Sequence, residues 1–296
     1  MLDQRILSRN KLSRLLCIPR RLLEEVASSA VRHYHPYTIE KSGGGVRIID
    51  NPDDALKNIQ HRINEVLLKT FPFPDYIHGG IKGHSPITNA RPHLGRRLVV
   101  RLDLTDFFPS VTDRQVYSIW TRKVGCSPPV ASLLTALTTF HHHLPQGSPT
   151  STSLANLALL DVDAAILEMA SVNGCSYSRY VDDLTISGAQ ARDLVKNIVF
   201  LLREAGFRIS RRKLLFMPAS GLQEVTGLTV NSSQSPSVSR LKRDRVRAAV
   251  RQFSQGPNPA RAAVSARGRI GHFSRTNPGS ARRLLEKLET PSLTTE

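Results

Sequence analysis

Apolar residues in this chain recur with two periods, and the alternation between them predicts its elements. Across residues 1–36, Leu22, Leu23, Val26 and Val31 fall at three-to-four spacing, which predicts helices from Asp3 to Leu16 and from Pro19 to Tyr34. Residues 37–50 contain two strand-like runs around Gly43-Gly44-Gly45, a hairpin with a glycine-rich tip. Ala55 to Thr70 reads as a helix with Leu56, Ile59, Ile63, Val66 and Leu67 on one face, and His78 to His93, rich in Gly and Pro, reads as loop. The β-branched run ending at Leu102 predicts a strand, and Asp113 to Lys123 and Pro128 to Leu137 predict helices. The punctuated loop Leu144 to Ser151 then leads into a long apolar helix through Leu154, Leu157, Leu160, Val162 and Ile166. Residues 178–187 predict a strand pair broken by two carboxylates. Ala189 to Gly206 is an amphipathic helix, followed by a strand from Phe207 into the cations Arg208, Arg211, Arg212 and Lys213. Glu224 to Val230 predicts a second strand pair, and Asn231 to Ser239 is a polar linker. A basic helix with Leu241, Val246, Ala249, Val250 and Phe253 inward, a break at residues 256–259, and a helix from Gly279 to Leu288 complete the pattern.

Candidate chemistry starts at the broken strand pair, where Asp182 and Asp183 are adjacent. Neighbouring carboxylates repel unless a cation sits beside them, although Asp-Asp is also ordinary turn chemistry. Asp103 stands at the end of the Leu98 to Leu102 run, where a strand meets a loop. If that strand pairs beside the hairpin, three carboxylates meet at one sheet edge. Such an all-oxygen set suits Mg²⁺, which keeps some waters and completes its octahedron with substrate phosphates. Two ions held this way support phosphoryl transfer, one activating the attacking hydroxyl and the other stabilising the leaving oxygen. The pattern points to a polymerase.

Tyr180-Val181-Asp182-Asp183, preceded by Leu102-Asp103-Leu104-Thr105-Asp106-Phe107-Phe108 and with Leu144-Pro145-Gln146-Gly147-Ser148-Pro149-Thr150-Ser151 between them, resembles the palm of a reverse transcriptase, with its motifs in order. Asn89-Ala90-Arg91-Pro92-His93 and Val225-Thr226-Gly227 match elements that mark the retron enzymes. The resemblance implies an α+β right-hand polymerase. Residues 1–98 would form N-terminal helices and fingers; 99–230 the palm, an antiparallel sheet on helices that includes fingers-palm helices over 113–138; and 231–296 a small, basic, helical thumb. It implies catalysis by Asp103, Asp182 and Asp183, with these and Leu104 holding two Mg²⁺ ions, Mn²⁺ being an alternative. Arg47, and more weakly Lys41, would grip the triphosphate of a dNTP; Gln146 would contact the nucleotide, and Phe108 would block a 2′-hydroxyl. Lys213 would stand near the triphosphate, with Arg211 or Arg212 as substitutes, and Ser210 stands where the family usually has Asn. Gly147 would let the template pass, Asn89 and His93 would serve RNA handling or local structure, and Arg243, Arg247 and Arg251 would clamp a duplex.

Charge strengthens this picture. Lys plus Arg at 41 against Asp plus Glu at 24 gives a net charge of +17, the balance of a nucleic-acid partner. Anionic membranes also attract basic proteins, but no apolar run approaches the roughly 20 residues of a membrane span, and the N-terminus lacks a signal-peptide hydrophobic region. The cytoplasm is the expected compartment. Cys17, Cys126 and Cys175 are widely spaced, which argues for free thiols and against a zinc site. The consecutive His141-His142-His143 cannot share one face, which argues against a metal role.

The retron resemblance further implies a cognate structured noncoding RNA as both template and primer, branched RNA-linked msDNA as product, and an effector or toxin protein in phage defence. Group II intron-like, diversity-generating and abortive-infection reverse transcriptases are alternatives, as is an RNA-binding scaffold with a vestigial palm. The intron enzymes normally carry further segments after the thumb, which are not expected here.

Overall fold

Ser8 opens the first helix, α1 (Arg9–Leu16), by accepting the Lys11 N–H at 3.2 Å, which satisfies a donor the helix itself leaves free. In this computed structural model, residues 5–40, 44–255, 267–268, 270–271, 274 and 278–289 are described. The second helix, α2 (Arg20–Ser28), stops earlier than its pattern suggests, with Ser29 already off helical geometry at φ −121° and ψ 18°. A 3₁₀ turn at Ala30–His33 feeds β1 (Tyr34–Glu40), which pairs antiparallel with β2 (Val46–Pro52).

Asp53 caps α3 (Asp54–Ile63), which widens into a π turn over Asn64–Leu68 where one longer helix was expected. Short α4 (Pro86–Ala90) precedes β3 (Leu98–Asp103), and α5 (Phe107–Ser110) and α6 (Asp113–Ser118) follow. A second π turn, Ile119–Lys123, ends α6 and likewise divides an expected helix. After α7 (Pro128–Thr138), the loop to α8 (Ser151–Val172) is tied down by Gln60 of α3. Gln60 accepts the Ser148 hydroxyl at 2.8 Å and donates to Tyr34 Oη and the Leu137 carbonyl.

Next come β4 (Ser176–Tyr180), β5 (Asp183–Ser187), α9 (Ala191–Glu204) and β6 (Leu215–Pro218), and the strands assemble in the order β4-β5-β3-β6, antiparallel throughout. The strand expected directly after Gly206 is reduced to a single bridge, Ile209 with Leu104, and the strand proper lies beyond the cationic turn Arg211–Lys213. The cause is local: Phe207 is buried and the Ser210 N–H donates to the Asp103 carbonyl, which pulls the segment onto the end of β3. A small ribbon, β7 (Glu224–Val225) and β8 (Leu228–Thr229), turns through Thr226 and Gly227, both at positive φ. Helices α10 (Arg240–Gln255) and α11 (Pro278–Glu289) close the described chain.

Alternation along β3 divides the core. Val100 and Leu102 join Leu184 and Ile186 of β5 in the main core, where α8 contributes Leu154, Ala155, Leu157 and Leu159. Val99 points the other way into a second core with Val225, Leu228, Val246, Val250 and Ala281. Among the described residues no helix is long and apolar enough to cross a membrane, and all three cysteines are free thiols.

Candidate active site

Cross-strand register brings the aspartates together. Asp103, last in β3, is paired with Asp183, first in β5, and Val181-Asp182 forms the two-residue turn between β4 and β5. Val181 sits at φ 59°, a region that β-branched residues avoid. The turn is held from below by Arg179, whose side chain is fully buried. Its guanidinium donates to the Val181 carbonyl at 2.8 Å, to Asn156 Oδ1 at 2.8 Å, and to Asp163 through Nε at 2.9 and 3.0 Å and Nη2 at 2.6 Å. Asp163, also fully buried, accepts the Tyr177 hydroxyl at 2.6 Å as well. From the side, Gly79 packs so closely that a Cβ there would lie 2.3 Å from Val181 Cγ2 and 2.5 Å from its backbone N. Asn156 secures that segment by donating to the Gly79 carbonyl at 2.8 Å.

Electrostatics at the sheet edge are unbalanced. Lys213 Nζ donates to Asp103 Oδ1 at 2.7 Å, while the Leu104 N–H donates to the Asp182 carbonyl at 2.9 Å. Arg101 Nε lies 3.6 Å from Asp183 Oδ1, beyond hydrogen-bond reach, and both atoms are buried without a hydrogen bond. Burial pushes the Asp183 carboxyl up to about 7; Arg101 opposes this, and the charges of Asp103 and Asp182 add to it. Burial raises Asp182 too, with Asp103 adding to the shift.

A cavity of about 240 Å³ opens at this edge, and its walls include Arg47, Asp103, Leu104, Phe108, Gln146, Asp182, Ser210 and Lys213. Arg47 arrives on β2, opposite Ile39. Phe107 is buried against Phe207, at 5.7 Å between ring centroids, while half-buried Phe108 reaches the cavity, so adjacent rings serve different surroundings. Gln146 is fixed by buried Asp50: its N–H donates to Asp50 Oδ2 at 2.9 Å, and its carbonyl accepts the Asp50 N–H at 2.8 Å. Gly147 has φ 132°, and a Cβ would meet Ile49 Cγ2 at 3.0 Å and the Asp50 carbonyl at 3.2 Å. Close packing on β2 thus demands a glycine there. Lys41 lies outside the described residues.

Among the described residues, no three acidic, His or Cys side chains converge into a ready-made metal cage. The donors nevertheless fit a hard divalent ion. Asp103 and Asp182 open onto one cavity, and Asp183 presents a buried oxygen with no hydrogen-bond donor. Burial first, and neighbouring carboxylates after it, disfavour the charged forms of Asp182 and Asp183, which a cation beside them would favour.

Asn89 and His93 are fully buried. His93 bridges β4 and β5, with Nε2 2.8 Å from Ser178 Oγ and Nδ1 2.7 Å from Ser187 Oγ, and burial holds its pKa down at about 3. Asn89 Nδ2 donates to Thr226 Oγ1 at 3.5 Å, so the Asn-Ala-x-x-His and Val-Thr-Gly elements touch one another. Both side chains are engaged within the protein, His93 tying β4 to β5 and Asn89 reaching the β7-β8 turn. Arg247 is exposed on α10 and Arg243 half-buried; the side chain of Arg251 lies outside the described residues. Sequence reasoning gave no role to Arg179, Asp163 or Asn156. The available signal was a pair of polar residues seven apart, Asn156 and Asp163, hence on one face of a largely apolar helix.

Residues 39–239 match the family described as reverse transcriptase (RNA-dependent DNA polymerase). The chain is 35% identical over 278 residues to the Retron Mx65 reverse transcriptase of Myxococcus xanthus, covering 87% of this chain and 64% of that protein. It is 31% identical over 294 residues to the Retron Mx162 reverse transcriptase of the same organism, covering 86% of this chain and 60% of the relative. With the Retron Ec86 reverse transcriptase of Escherichia coli it shares 32% identity over 228 residues, 75% of this chain and 71% of that one. The chain thus spans less than two thirds of the length of the two Myxococcus relatives. Matched across most of its length, the chain belongs to the reverse transcriptase family and, within it, to the retron reverse transcriptases.

Proposed function

We propose that this chain is an RNA-directed DNA polymerase that copies a cognate structured noncoding RNA into DNA. The observation that carries the reading is one cavity walled by Asp103, Asp182, Arg47, Phe108, Gln146 and Lys213. Acids that hold cations, cations that hold phosphates and an aromatic at the sugar position are the parts a nucleotidyl transfer site needs.

In this reading Asp103, Asp182 and Asp183, with Leu104 beside them, hold two Mg²⁺ ions or Mn²⁺ in their place. When bound, the ions neutralise phosphate charge and ease ionisation of the attacking hydroxyl. The guanidinium fork of Arg47 orients the triphosphate from the β1-β2 hairpin. Lys213 Nζ, now paired with Asp103, turns to the departing pyrophosphate and supplies a proton to its oxygen. Phe108 stacks under the sugar and excludes a 2′-hydroxyl. Gln146, clamped by Asp50, contacts the nucleotide, and Gly147 lets template lie close to the hairpin. Residues 1–98 act as N-terminal helices and fingers, 99–230 as palm, and 231–296 as a thumb whose Arg243, Arg247 and Arg251 grip duplex phosphates. The product is branched RNA-linked msDNA, made alongside an effector protein in phage defence.

The test is to express the chain with the flanking DNA that encodes its RNA and to extract nucleic acid. A short DNA whose size shifts on RNase or debranching treatment, absent from Asp182→Asn, is the expected result. Loss of that product, with extension of an ordinary primed RNA retained, would remove the retron chemistry and keep the polymerase.

A further inference from the structure

Behind the candidate active site, a second concavity of about 430 Å³ is lined by Arg203, Arg208 and Arg211 together with Gly206 and Ile209. All three arginines are exposed, and among the described residues none of their guanidinium groups has an ion pair or a side-chain hydrogen bond. This contrasts with the N-terminal helices, where Arg9 and Arg20 are both engaged by Glu24. Three unpaired like charges facing one hollow repel each other, a cost that an anion would turn into attraction.

One thin wall separates the two concavities. Along the segment 208–213, Ser210 and Lys213 line the active-site cavity, whereas Arg208, Ile209 and Arg211 line the groove behind it. The wall is anchored to the aspartate edge, since the Ser210 N–H donates to the Asp103 carbonyl and the Thr105 N–H to the Arg208 carbonyl, both at 2.8 Å. The groove therefore adjoins the place where a polymerase releases a highly charged product.

We propose that the Arg203, Arg208 and Arg211 groove is a binding site for free polyphosphate, namely pyrophosphate on its way out of the neighbouring cavity. The identity of the anion rests on the polymerase reading above. Three arginines lining one hollow suit a compact, multiply charged anion, whereas an extended strand spreads its phosphates along a line. Arg208 and Arg211 receive the anion on the far side of the wall from which Lys213 releases it.

Calorimetric titration of the full chain with inorganic pyrophosphate tests this, in EDTA so that no divalent ion bridges the anion to the aspartates. An Arg47→Gln/Lys213→Gln background silences the active-site cavity. We expect pyrophosphate binding to persist there and to weaken by about tenfold or more when Arg203→Gln and Arg211→Gln are added, because two charge-assisted contacts are lost. Thermal melting without anion checks that the exposed substitutions leave the fold intact. Equal affinity with and without Arg203→Gln/Arg211→Gln, or no binding in the background variant, overturns the proposal. So does a result in which those substitutions weaken binding of a short unstructured RNA but not of pyrophosphate, which would make the groove a strand track. Pyrophosphate binding intact beside a failure to extend a primed RNA would sink the polymerase reading alone.

Discussion

Replacing Asp163 by Asn removes one charge from the support beneath the Asp182 turn while keeping the side chain's shape. Both Asp163 and its partner Arg179 have no solvent exposure, so the substitution strands a guanidinium in the interior without its counter-ion. Breaking a buried pair from one side costs about 3–5 kcal/mol, a large part of the roughly 5–15 kcal/mol that holds a typical domain together. Asp163→Asn also gives up a charged acceptor for the Tyr177 hydroxyl. Urea unfolding should therefore show a lower midpoint with little change in slope. The double variant Asp163→Leu/Arg179→Met separates stability from positioning. Removing both charges should recover most of the stability, yet the Val181 carbonyl loses its 2.8 Å donor and the strained turn its fixed conformation. Primer extension should stay depressed in the double variant although its melting recovers. A change of under about 1 kcal/mol for Asp163→Asn, or a double variant with normal extension, would refute the argument.

Three further outcomes follow from the same geometry. His93 ionises only near pH 3 when folded and near 6.5 when free, so the unfolded chain takes up its proton first. Its contribution is complete above about pH 6.5 and lost as pH falls toward 3, by up to about 1.4 kcal/mol per pH unit; urea midpoints of His93→Gln should fall less steeply than wild type over that window. Asp183 has the opposite sign: its folded pKa near 7 exceeds the ordinary 3.8, so the folded protein holds the proton and metal-free stability declines as pH rises from about 4 to 7. Asp183→Asn should reduce that decline, leaving the part due to Asp182, and in EDTA at pH 8 melt higher than wild type by the equivalent of a few kcal/mol at most, roughly; an identical pH profile would contradict the buried, cation-seeking carboxyl. Phe108→Ala should admit ribonucleotides, read as the ratio of rNTP to dNTP incorporation, and an unchanged ratio would show that another residue gates the sugar.

The site was readable where local pattern and chemistry agreed. Alternation through Leu98 to Leu102 and through Leu184 to Ile186 sets which residues face the core, and that same register sets Asp103 opposite Asp183. Phe107 and Phe108 divided between core and cavity as neighbouring positions do. Helix ends were less readable, because apolar residues continue through the π turns at Asn64–Leu68 and Ile119–Lys123 and their spacing does not distinguish an α turn from a π turn. The strand after Gly206 failed for a related reason, its backbone being claimed by Asp103 and Thr105. Burial of polar groups was the least visible. Nothing near Arg179 announces that its counter-ion lies in the preceding helix, and nothing in the loop character of residues 78–93 places His93 between Ser178 and Ser187. The run Arg211, Arg212 and Lys213 likewise does not encode that Lys213 turns to Asp103 while Arg211 lines the opposite side.

The central claim is that this cavity polymerises deoxynucleotides on RNA through its aspartates. Its most direct test is extension of a DNA primer annealed to an RNA template, with dNTPs and Mg²⁺, by wild type and by Asp182→Asn alongside a measurement of RNA affinity. The account predicts full-length DNA from wild type, none from Asp182→Asn, and equal RNA binding by both. Extension by Asp182→Asn at the wild-type rate, or RNA binding without extension by wild type, would contradict it.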